Sequence, residues 1–193
     1  MESPTGVPDW SKIPAPQDDG GARHLPGVVL PSVVLPATDG THVDLSKLPG
    51  RVVVYAYPRT GQPDMPNPDG WDMIPGARGC TPQSCAFRDH FDDLRRLGVW
   101  RVLGLSTQPA AEQSEAARRL HLPFPLLSDE RLILTRLLSL PTFTTAGMIL
   151  LKRLTLLLDA GRVSHVFYPV FPPDRNAEEV IAWLTNTGTA RMQ

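Results

Sequence analysis

The sequence predicts a single α/β domain built around a central β-sheet, and three observations support this prediction. Two continuous apolar runs, Arg51 to Tyr57 and Trp100 to Ser106, are rich in β-branched and aromatic residues, as in strands covered on both faces. A segment of helical periodicity comes after each run. The chain closes with two strand patterns, Arg153 to Leu158 and Arg162 to Phe167, and a helix from Asn176. With 193 residues, the chain can bury a core without disulfide bonds.

The N-terminal segment is rich in proline and contains adjacent aspartates and glycines, a composition typical of an extended or mobile arm. We therefore divide the chain into a flexible arm, residues 1–25, and a single domain, residues 26–193. An apolar run from Val28 to Leu35 is interrupted by a proline, which favours an edge strand. An Asp-Gly turn signal at residues 39–40 precedes Thr41 to Leu45, so we expect an N-terminal hairpin.

The region from Arg59 to Gly79 is a long loop rich in proline and glycine, and it leads into the first helix. Structureless loops longer than about 15 residues are uncommon inside compact domains and are usually functional or disordered. Thr81 is a preferred N-cap residue, and Pro82 suits the first helical position. Apolar residues then recur at helical spacing: Phe87, Phe91, Leu94 and Leu97. The helix is predicted to end at Gly98, since glycine is a common helix-stop residue.

The second half of the chain continues the alternation of helices and strands. Gln108 to Leu120 is predicted as a helix and Leu122 to Leu127 as a short extended segment. Ser128 and Asp129 can cap a leucine-rich helix that runs through about Leu138. Because this helix is apolar on all sides, we expect it to be buried.

The two C-terminal strands are joined through residues 159–161, where a glycine suits the positive φ of a tight turn. Asn176 is predicted to cap the last helix, with Glu179 at the capping-box position. This order of elements describes a thioredoxin-like α/β sandwich with an N-terminal hairpin extension.

Charge and composition argue against several classes of partner and site. A net charge of −1 with 20% charged residues provides no basic surface for nucleic acid or for an anionic membrane. The sequence shows no signal segment and no apolar run of the ~20 residues that a membrane span needs. We therefore expect a cytoplasmic protein. Structural disulfides are rare in that compartment, so the two cysteines are expected to react transiently.

Cys80 and Cys85 both fall at the beginning of the first predicted helix. A thiol at a helix N-terminus lies near the positive end of the helix dipole, which favours thiolate over thiol, so Cys80 is predicted to be the better nucleophile. An intact helix separates the two Cα atoms by roughly 7 to 8 Å. A disulfide requires a Cα separation below about 7 Å and converging Cβ vectors, so the helix must unwind locally before this pair can bond.

The residues around the cysteines resemble a known family. The stretch GCTPQSCAFRDHFDDL is similar to the GCTxxxCxFRD segment of Q-type peroxiredoxins, also called bacterioferritin comigratory proteins. Three further stretches resemble the opening, middle and closing hairpin of that family: LPSVVLPATDGTHVDLSKLPGRVVVYAYP, LPFPLLSD and RLTLLLDAGRV. The resemblance covers most of the chain and implies a thioredoxin fold with an N-terminal extension.

This resemblance implies a role for three residues. Cys80 would be the peroxidatic cysteine, which is oxidised to a sulfenic acid, and Cys85 the resolving cysteine that condenses with it. Arg153 would hold the thiolate and the peroxide, because a fixed guanidinium stabilises charge on the leaving oxygen. The implied substrates are hydrogen peroxide or organic hydroperoxides, and the implied reductant is thioredoxin or a similar dithiol. No metal or organic cofactor is implied, and the resembled family suggests a monomer or a weak homodimer.

One departure from the family pattern lies just before Cys80. Ala77 stands where the family has a threonine that hydrogen-bonds the peroxide, and Met73 stands where it has a proline. Pro58-Arg59-Thr60 could be the displaced start of this motif, with Thr60 folding back to supply the hydroxyl. Thr81 is the alternative, although its simpler role is that of a helix cap.

Two other functions are consistent with a pair of cysteines. A thiol-disulfide oxidoreductase shares the predicted fold, but it typically uses a CxxC pair, which is closer together than Cys80 and Cys85. A non-enzymatic redox-responsive binding protein could hold a metal through both cysteines and His90. Zinc usually takes four ligands at short spacings, and helical steps of five direct side chains off one face.

Overall fold

A computed structural model of the chain describes residues 8–63 and 65–190. Its strands are β1 (Val34–Pro36), β2 (His42–Asp44), β3 (Arg51–Ala56), β4 (Val99–Ser106), β5 (Leu126–Ser128), β6 (Thr142–Thr145), β7 (Met148–Leu151), β8 (Leu154–Asp159) and β9 (Arg162–Phe167). Its helices are α1 (Cys80–Asp89), α2 (Phe91–Arg96), α3 (Ala110–Arg119), α4 (Ile133–Leu137) and α5 (Asn176–Ala190). Within the described residues, no helix has the length and apolar content needed to cross a membrane.

The central sheet has five strands in the order β5-β4-β3-β8-β9. β3, β4 and β5 are mutually parallel, whereas β8 and β9 run antiparallel to them as a hairpin. The predicted strands at Arg51, Trp100, Arg153 and Arg162 are therefore confirmed. The tight turn after β8 is also confirmed, because Ala160 and Gly161 both have positive φ, and a Cβ on Gly161 would lie 2.3 Å from the carbonyl oxygen of Ser46.

Both faces of the central sheet are covered, which explains why its strands are continuously apolar. One face packs against α1, α2 and α5 through Tyr55, Phe87, Leu94 and Val180. Against the other face lie the N-terminal hairpin and α4, in a cluster that includes Leu35, Val54, Leu105 and Leu134. This arrangement confirms the predicted α/β sandwich.

The N-terminal hairpin is confirmed, but its first strand is shorter than predicted. β1 begins at Val34 and pairs with β2 across the Asp-Gly turn at residues 39–40. The preceding part of the predicted strand contains a proline, which cannot donate to a β-ladder. There, only Val29 makes a bridge, to Arg162 of β9.

The described part of the predicted arm, residues 8–25, lies against the domain. Ala22 and Leu25 are buried in the same cluster as the N-terminal hairpin. Residues 1–7 of the arm and 191–193 of the domain lie outside the described residues. The division of the chain at residue 25 stays a prediction.

The first predicted helix differs from the structure at both ends. It begins at Cys80, and Gly79 in a left-handed conformation occupies its N-cap position, so the prediction that Thr81 caps it was wrong. It is also divided, because His90 leaves helical geometry between α1 and α2. With this break, Phe87 of α1 and Leu94 of α2 are both completely buried in one cluster.

The leucine-rich helix is much shorter than predicted and is partly exposed. α4 begins at Ile133, and the carboxylate of Asp129 accepts the backbone N–H groups of Ile133, Leu134 and Thr135. Asp129 therefore does cap the helix, but across an intervening turn. Ser128 does not cap it, since it belongs to β5. The prediction of burial on all sides was wrong, because Ile133 and Leu137 are exposed.

Two further features were absent from the sequence prediction or differ from it. The hairpin of β6 and β7, which lies outside the central sheet, was missed in the sequence. Each of its strands has only four residues, and polar and apolar positions alternate only weakly along them. Asn176 was predicted to cap α5, but it is the first residue of the helix, in helical conformation, and its side-chain oxygen is used in a buried network described below. A short 3-10 turn, Pro173–Arg175, leads into the helix instead.

Candidate active site

Cys80 is the first residue of α1, which places its thiol at the amino end of a ten-residue helix. Its side chain is only 4% exposed, and its Sγ atom lies 3.6 Å from the carbonyl oxygen of Ala77. The preceding Gly79 has a φ of +104°, a value that a residue with a Cβ rarely adopts. The expected location of Cys80 at the mouth of the helix is therefore correct.

Arg153 directly precedes β8 and reaches Cys80 because of the sheet topology. β8 runs antiparallel to β3, and its first residue Leu154 pairs with Ala56, the last residue of β3. Arg153 therefore lies at the end of the sheet from which the chain leaves towards α1. Its Nη2 atom is 3.2 Å from the Sγ atom of Cys80, although the two residues are 73 positions apart.

The guanidinium of Arg153 is held in place by oxygen atoms. Its Nη2 atom lies 3.3, 3.4 and 3.2 Å from the carbonyl oxygens of Gly76, Ala77 and Arg78, and its Nη1 atom donates to Oε1 of Gln83. Only 3% of the side chain is exposed. Among the described residues, no carboxylate forms an ion pair with this arginine. A buried cation with neutral partners is well suited to act on negative charge at the neighbouring sulfur.

A buried network of polar side chains fixes the position of Gln83, the side-chain partner of Arg153. Gln83 donates from Nε2 to Oδ1 of Asn176 at 2.9 Å, and the hydroxyl of Thr155 donates to the same oxygen at 2.6 Å. All three side chains are completely buried. The sequence analysis did not identify Gln83 or this use of Asn176. One signal was present in the sequence: Gln83 lies one helical turn before the apolar Phe87, on the same side of α1. A buried amide there needs hydrogen-bond partners, which would have indicated a polar network.

Cys85 lies in the same helix and is half-buried, and both cysteines are free thiols. Burial raises the pKa of Cys85 above its usual range, although the nearby Arg88 acts in the opposite direction. In this folded state, Cys85 is therefore expected to be a protonated thiol at neutral pH. Its side chain and that of Cys80 both line one cavity.

This cavity has a volume of about 850 Å³ and opens beside the amino end of α1. α1 forms one wall, and the described residues of the loop, 59–63 and 65–79, form another. Pro8 of the N-terminal arm, Arg119 of α3 and Asp174 of the turn before α5 also line the cavity. The cavity gives small molecules a route to the otherwise buried sulfur of Cys80.

The described part of the long loop, residues 59–63 and 65–79, packs around Trp71. Trp71 is buried with Ala77 and Leu150 in a small separate cluster, and its ring also lines the cavity. The loop therefore anchors the segment that precedes Cys80, and the carbonyl of Ala77 contacts both that sulfur and Arg153.

Thr60 and Thr81, the two candidates for the missing hydroxyl, lie in different surroundings. The hydroxyl and backbone N–H of Thr60 both contact Oε1 of Gln108, at 3.3 and 2.8 Å, and Thr60 is buried. Thr81 lines the cavity beside Cys80. Of the two threonines, Thr81 lines the same cavity as Cys80, and Thr60 does not.

The metal site considered for Cys80, Cys85 and His90 finds no support in the described part of the chain. Among those residues, no group of three or more His, Cys, Asp or Glu side chains is arranged to hold a metal ion. The Nδ1 atom of His90 instead lies 3.2 Å from a carboxylate oxygen of Asp93.

Comparison with known proteins agrees with this geometry. The model of the family described as Redoxin matches residues 25–181. The chain belongs to the Redoxin family. Within it, the chain is 33% identical to peroxiredoxin Q of Oryza sativa subsp. japonica, a chloroplastic protein, over 93% of this chain and 77% of that protein. It is also 33% identical to peroxiredoxin Bcp of Escherichia coli, over 82% of this chain and 94% of that protein. The resemblance to Q-type peroxiredoxins is thus confirmed.

Solved structures show the same fold. Peroxidoxin BcpB of Mycobacterium tuberculosis superimposes with a TM-score of 0.68 at 26% identity, covering 84% of this chain and 98% of that one. A peroxiredoxin Q of Xylella fastidiosa also gives a TM-score of 0.68, covering 86% and 98%, with 22% identity. The predicted thioredoxin-like fold is confirmed. This Redoxin-family protein is an enzyme, a thiol-dependent peroxidase that reduces peroxide substrates with a thiol reductant.

Proposed function

We propose that Cys80 is the peroxidatic cysteine and that Arg153 orients and activates its reaction with peroxide. The observation that carries this proposal is the 3.2 Å contact between Arg153 Nη2 and Cys80 Sγ at the first residue of α1. The thiolate attacks one peroxide oxygen, the S–O bond forms as the O–O bond breaks, and the departing oxygen takes up a proton as water or alcohol. The guanidinium stabilises negative charge on that departing oxygen.

We propose that the side-chain hydroxyl of Thr81 lies beside the bound peroxide. It takes the place of the threonine that is absent at Ala77, because its side chain lines the cavity next to Cys80. Thr60 has a structural role instead, since its hydroxyl is bound to Gln108.

Cys85 completes the turnover as the resolving cysteine. Its sulfur attacks the sulfur of the Cys80 sulfenic acid, so that an S–S bond forms, the S–O bond breaks, and the oxygen leaves with the thiol proton as water. Both cysteines lie in α1, where helical geometry keeps their Cβ vectors from converging. The first turns of α1 must therefore unwind before this bond forms.

We propose, from the resemblance to Q-type peroxiredoxins, that thioredoxin or a similar dithiol protein of the cytoplasm then reduces the disulfide. Because α1 carries both thiols, the cycle needs no second subunit, and a monomer or weak homodimer suffices. A coupled assay of NADPH oxidation with thioredoxin and its reductase measures this step, and loss of coupling in Cys85→Ser is the expected control.

Intact-mass analysis after stoichiometric peroxide tests the roles of the two cysteines. The wild type should lose the mass of two hydrogen atoms, Cys85→Ser should retain one added oxygen, and Cys80→Ser should remain unchanged. If Cys80→Ser consumed peroxide as fast as the wild type, the assignment of Cys80 would be wrong.

A further inference from the structure

The N-terminal arm packs on the amino end of α1 through Trp10. The indole Nε1 of Trp10 donates to Oδ2 of Asp174 at 3.0 Å, and its ring meets the edge of Phe171 with a centroid separation of 5.9 Å. Asp174 lies in the 3-10 turn that packs beside α1. Trp10 therefore connects the arm to two neighbours of the reactive helix.

The ring of Trp10 also packs against Gly79, the residue immediately before Cys80. A Cβ built on Gly79 would lie 2.7 Å from Cη2 of Trp10 and 2.3 Å from Cγ of Pro173. The backbone of Gly79 is thus enclosed between the indole ring and the proline, with no room for a side chain.

Two further contacts extend this packing along the arm. Pro16 lies beside Gly76, where a Cβ would be 3.5 Å away, and the carboxylate of Asp19 accepts hydrogen bonds from Lys152 and Tyr168. The arm therefore contacts Gly76, one of the carbonyl partners of Arg153, and Lys152, the residue before that arginine. None of these contacts was anticipated from the proline-rich sequence.

We propose that Trp10 is a positioning residue that holds the first turn of α1 in place and thereby sets the rate of disulfide formation. This inference rests on the proposed function, in which residues between Cys80 and Cys85 must leave the helix before their sulfurs meet. That movement displaces Gly79 and breaks its contact with the indole ring. While Trp10 holds the turn, the Cys80 sulfenic acid persists, and a second peroxide molecule can oxidise it to the sulfinic acid, releasing water or alcohol.

The size of the effect follows from the contacts that are lost. One hydrogen bond and one aromatic edge contact, both partly buried, correspond to about a 5- to 30-fold change in an equilibrium. Removing them in Trp10→Ala should therefore speed the Cys80–Cys85 disulfide step by about 5- to 30-fold. The same variant should need more peroxide to reach half-conversion of Cys80 to sulfinic acid. Trp10→Phe keeps a ring over Gly79 but lacks the N–H donor, so its rate of disulfide formation should lie between those of the wild type and Trp10→Ala.

Quenched-flow mass spectrometry measures these steps without relying on tryptophan fluorescence. Reduced protein is mixed with hydrogen peroxide, alkylated at set times, and analysed for sulfenic acid, disulfide and sulfinic acid. Trp100→Ala, at an exposed tryptophan of β4, is the matched control and should form the disulfide at the wild-type rate. Hydrogen exchange of the amide of Gln83, which bonds to the carbonyl of Gly79, should be faster in Trp10→Ala.

A double-mutant cycle tests whether the indole acts through Asp174. Trp10→Phe and Asp174→Ala should each speed disulfide formation, and together they should do little more than either one alone. Equal rates in the wild type and Trp10→Ala would overturn the proposal for Trp10 while leaving the roles of the cysteines intact. If the wild type formed no disulfide between Cys80 and Cys85, the proposed resolving step itself would be wrong.

Discussion

At the scale of single residues, the site depends on a buried arginine with no carboxylate partner among the described residues. The partners of Arg153 are three backbone carbonyls, the amide oxygen of Gln83 and the sulfur of Cys80. A carboxylate would neutralise the guanidinium, whereas these neutral groups fix its position and leave its charge available. Its fork geometry matters as much as the charge, because Nη1 and Nη2 reach different partners.

The first prediction concerns Arg153→Lys. A lysine keeps the charge but cannot hold Gln83 and Cys80 at the same time, so we expect the second-order rate of reaction with hydrogen peroxide to fall about 100-fold. Stopped-flow kinetics on the reduced protein measures this rate. Arg136→Lys, at an exposed position on α4, is the matched control. A loss of less than about three-fold in Arg153→Lys would contradict the assigned role.

A second prediction at this scale concerns the protonation of Cys85. Burial raises its pKa above the ordinary value of 9.0, so its thiolate form should appear only at higher pH than in an unfolded chain. In Cys80→Ser, the rate of iodoacetamide alkylation should therefore rise with a midpoint above that value, and urea should move the midpoint downwards. A midpoint lower in the folded protein than in urea would show that Arg88, and not burial, dominates.

At the scale of elements, caps determine where the helices begin. α1 begins after Gly79, because a positive φ and the contact with Trp10 exclude other residues there. α4 begins at Ile133 because Asp129, 1% exposed, accepts backbone N–H groups from the first three residues of the helix. It also accepts the hydroxyl of Thr135 at 2.6 Å. One carboxylate thus satisfies most of the donors at the start of a five-residue helix.

Removal of this cap is the third prediction. Asp129→Ala should lower the free energy of unfolding by about 2 to 4 kcal/mol, because it leaves several buried N–H groups without an acceptor. Asp129→Asn retains one oxygen and should lose less. Urea unfolding measures both variants against Glu130→Ala, which removes an exposed neighbouring carboxylate. If Asp129→Ala were as stable as this control, α4 would not depend on the cap.

At the scale of the whole molecule, aspartates fasten the N-terminal third of the chain. Hydrogen bonds from Lys152 and Tyr168 hold the pKa of Asp19 far below its usual range. For Asp44, burial acts to raise the pKa, but hydrogen bonds from Ser32 and Ser46 outweigh it and lower the pKa to about 2. Ionised Asp19 therefore connects the arm to Lys152 and Tyr168, and ionised Asp44 joins the residues on either side of the N-terminal hairpin, Ser32 and Ser46.

The fourth prediction is a loss of stability in acid. The ordinary pKa of Asp44 is 3.8 and its folded value is about 2, so between these values the unfolded chain binds more protons than the folded one. The contribution of Asp44 to the free energy of unfolding should accordingly be fully present above this window and be lost as the pH drops from about 4 to about 2. Urea unfolding at a series of pH values measures this. Asp44→Asn should reduce the slope, whereas Asp92→Asn, at an exposed position, should not.

Local sequence patterns were sufficient to predict the central strands, the turn at Gly161 and the location of Cys80 at a helix start. These features depend on interactions within a few residues: a continuous apolar run, a positive φ and the position of a thiol relative to helix-starting residues. Where local signals were weak or competing, as in the hairpin of β6 and β7 and the start of α4, the prediction failed. Hydrophobic periodicity alone does not reveal a cap such as Asp129, which is separated from the helix by a turn.

The residues that surround Cys80 are distant in sequence and could not be predicted from local patterns. Arg153 reaches it because β8 is antiparallel to β3, and Gln83 finds Asn176 from 93 positions away. Trp10 reaches Gly79 across the same end of the domain, and Thr60 turns away to Gln108. Local patterns specify secondary structure, whereas these contacts depend on how strands pair and helices pack. That is why the sequence located Cys80 at the start of a helix, and the fold supplied the groups that surround it.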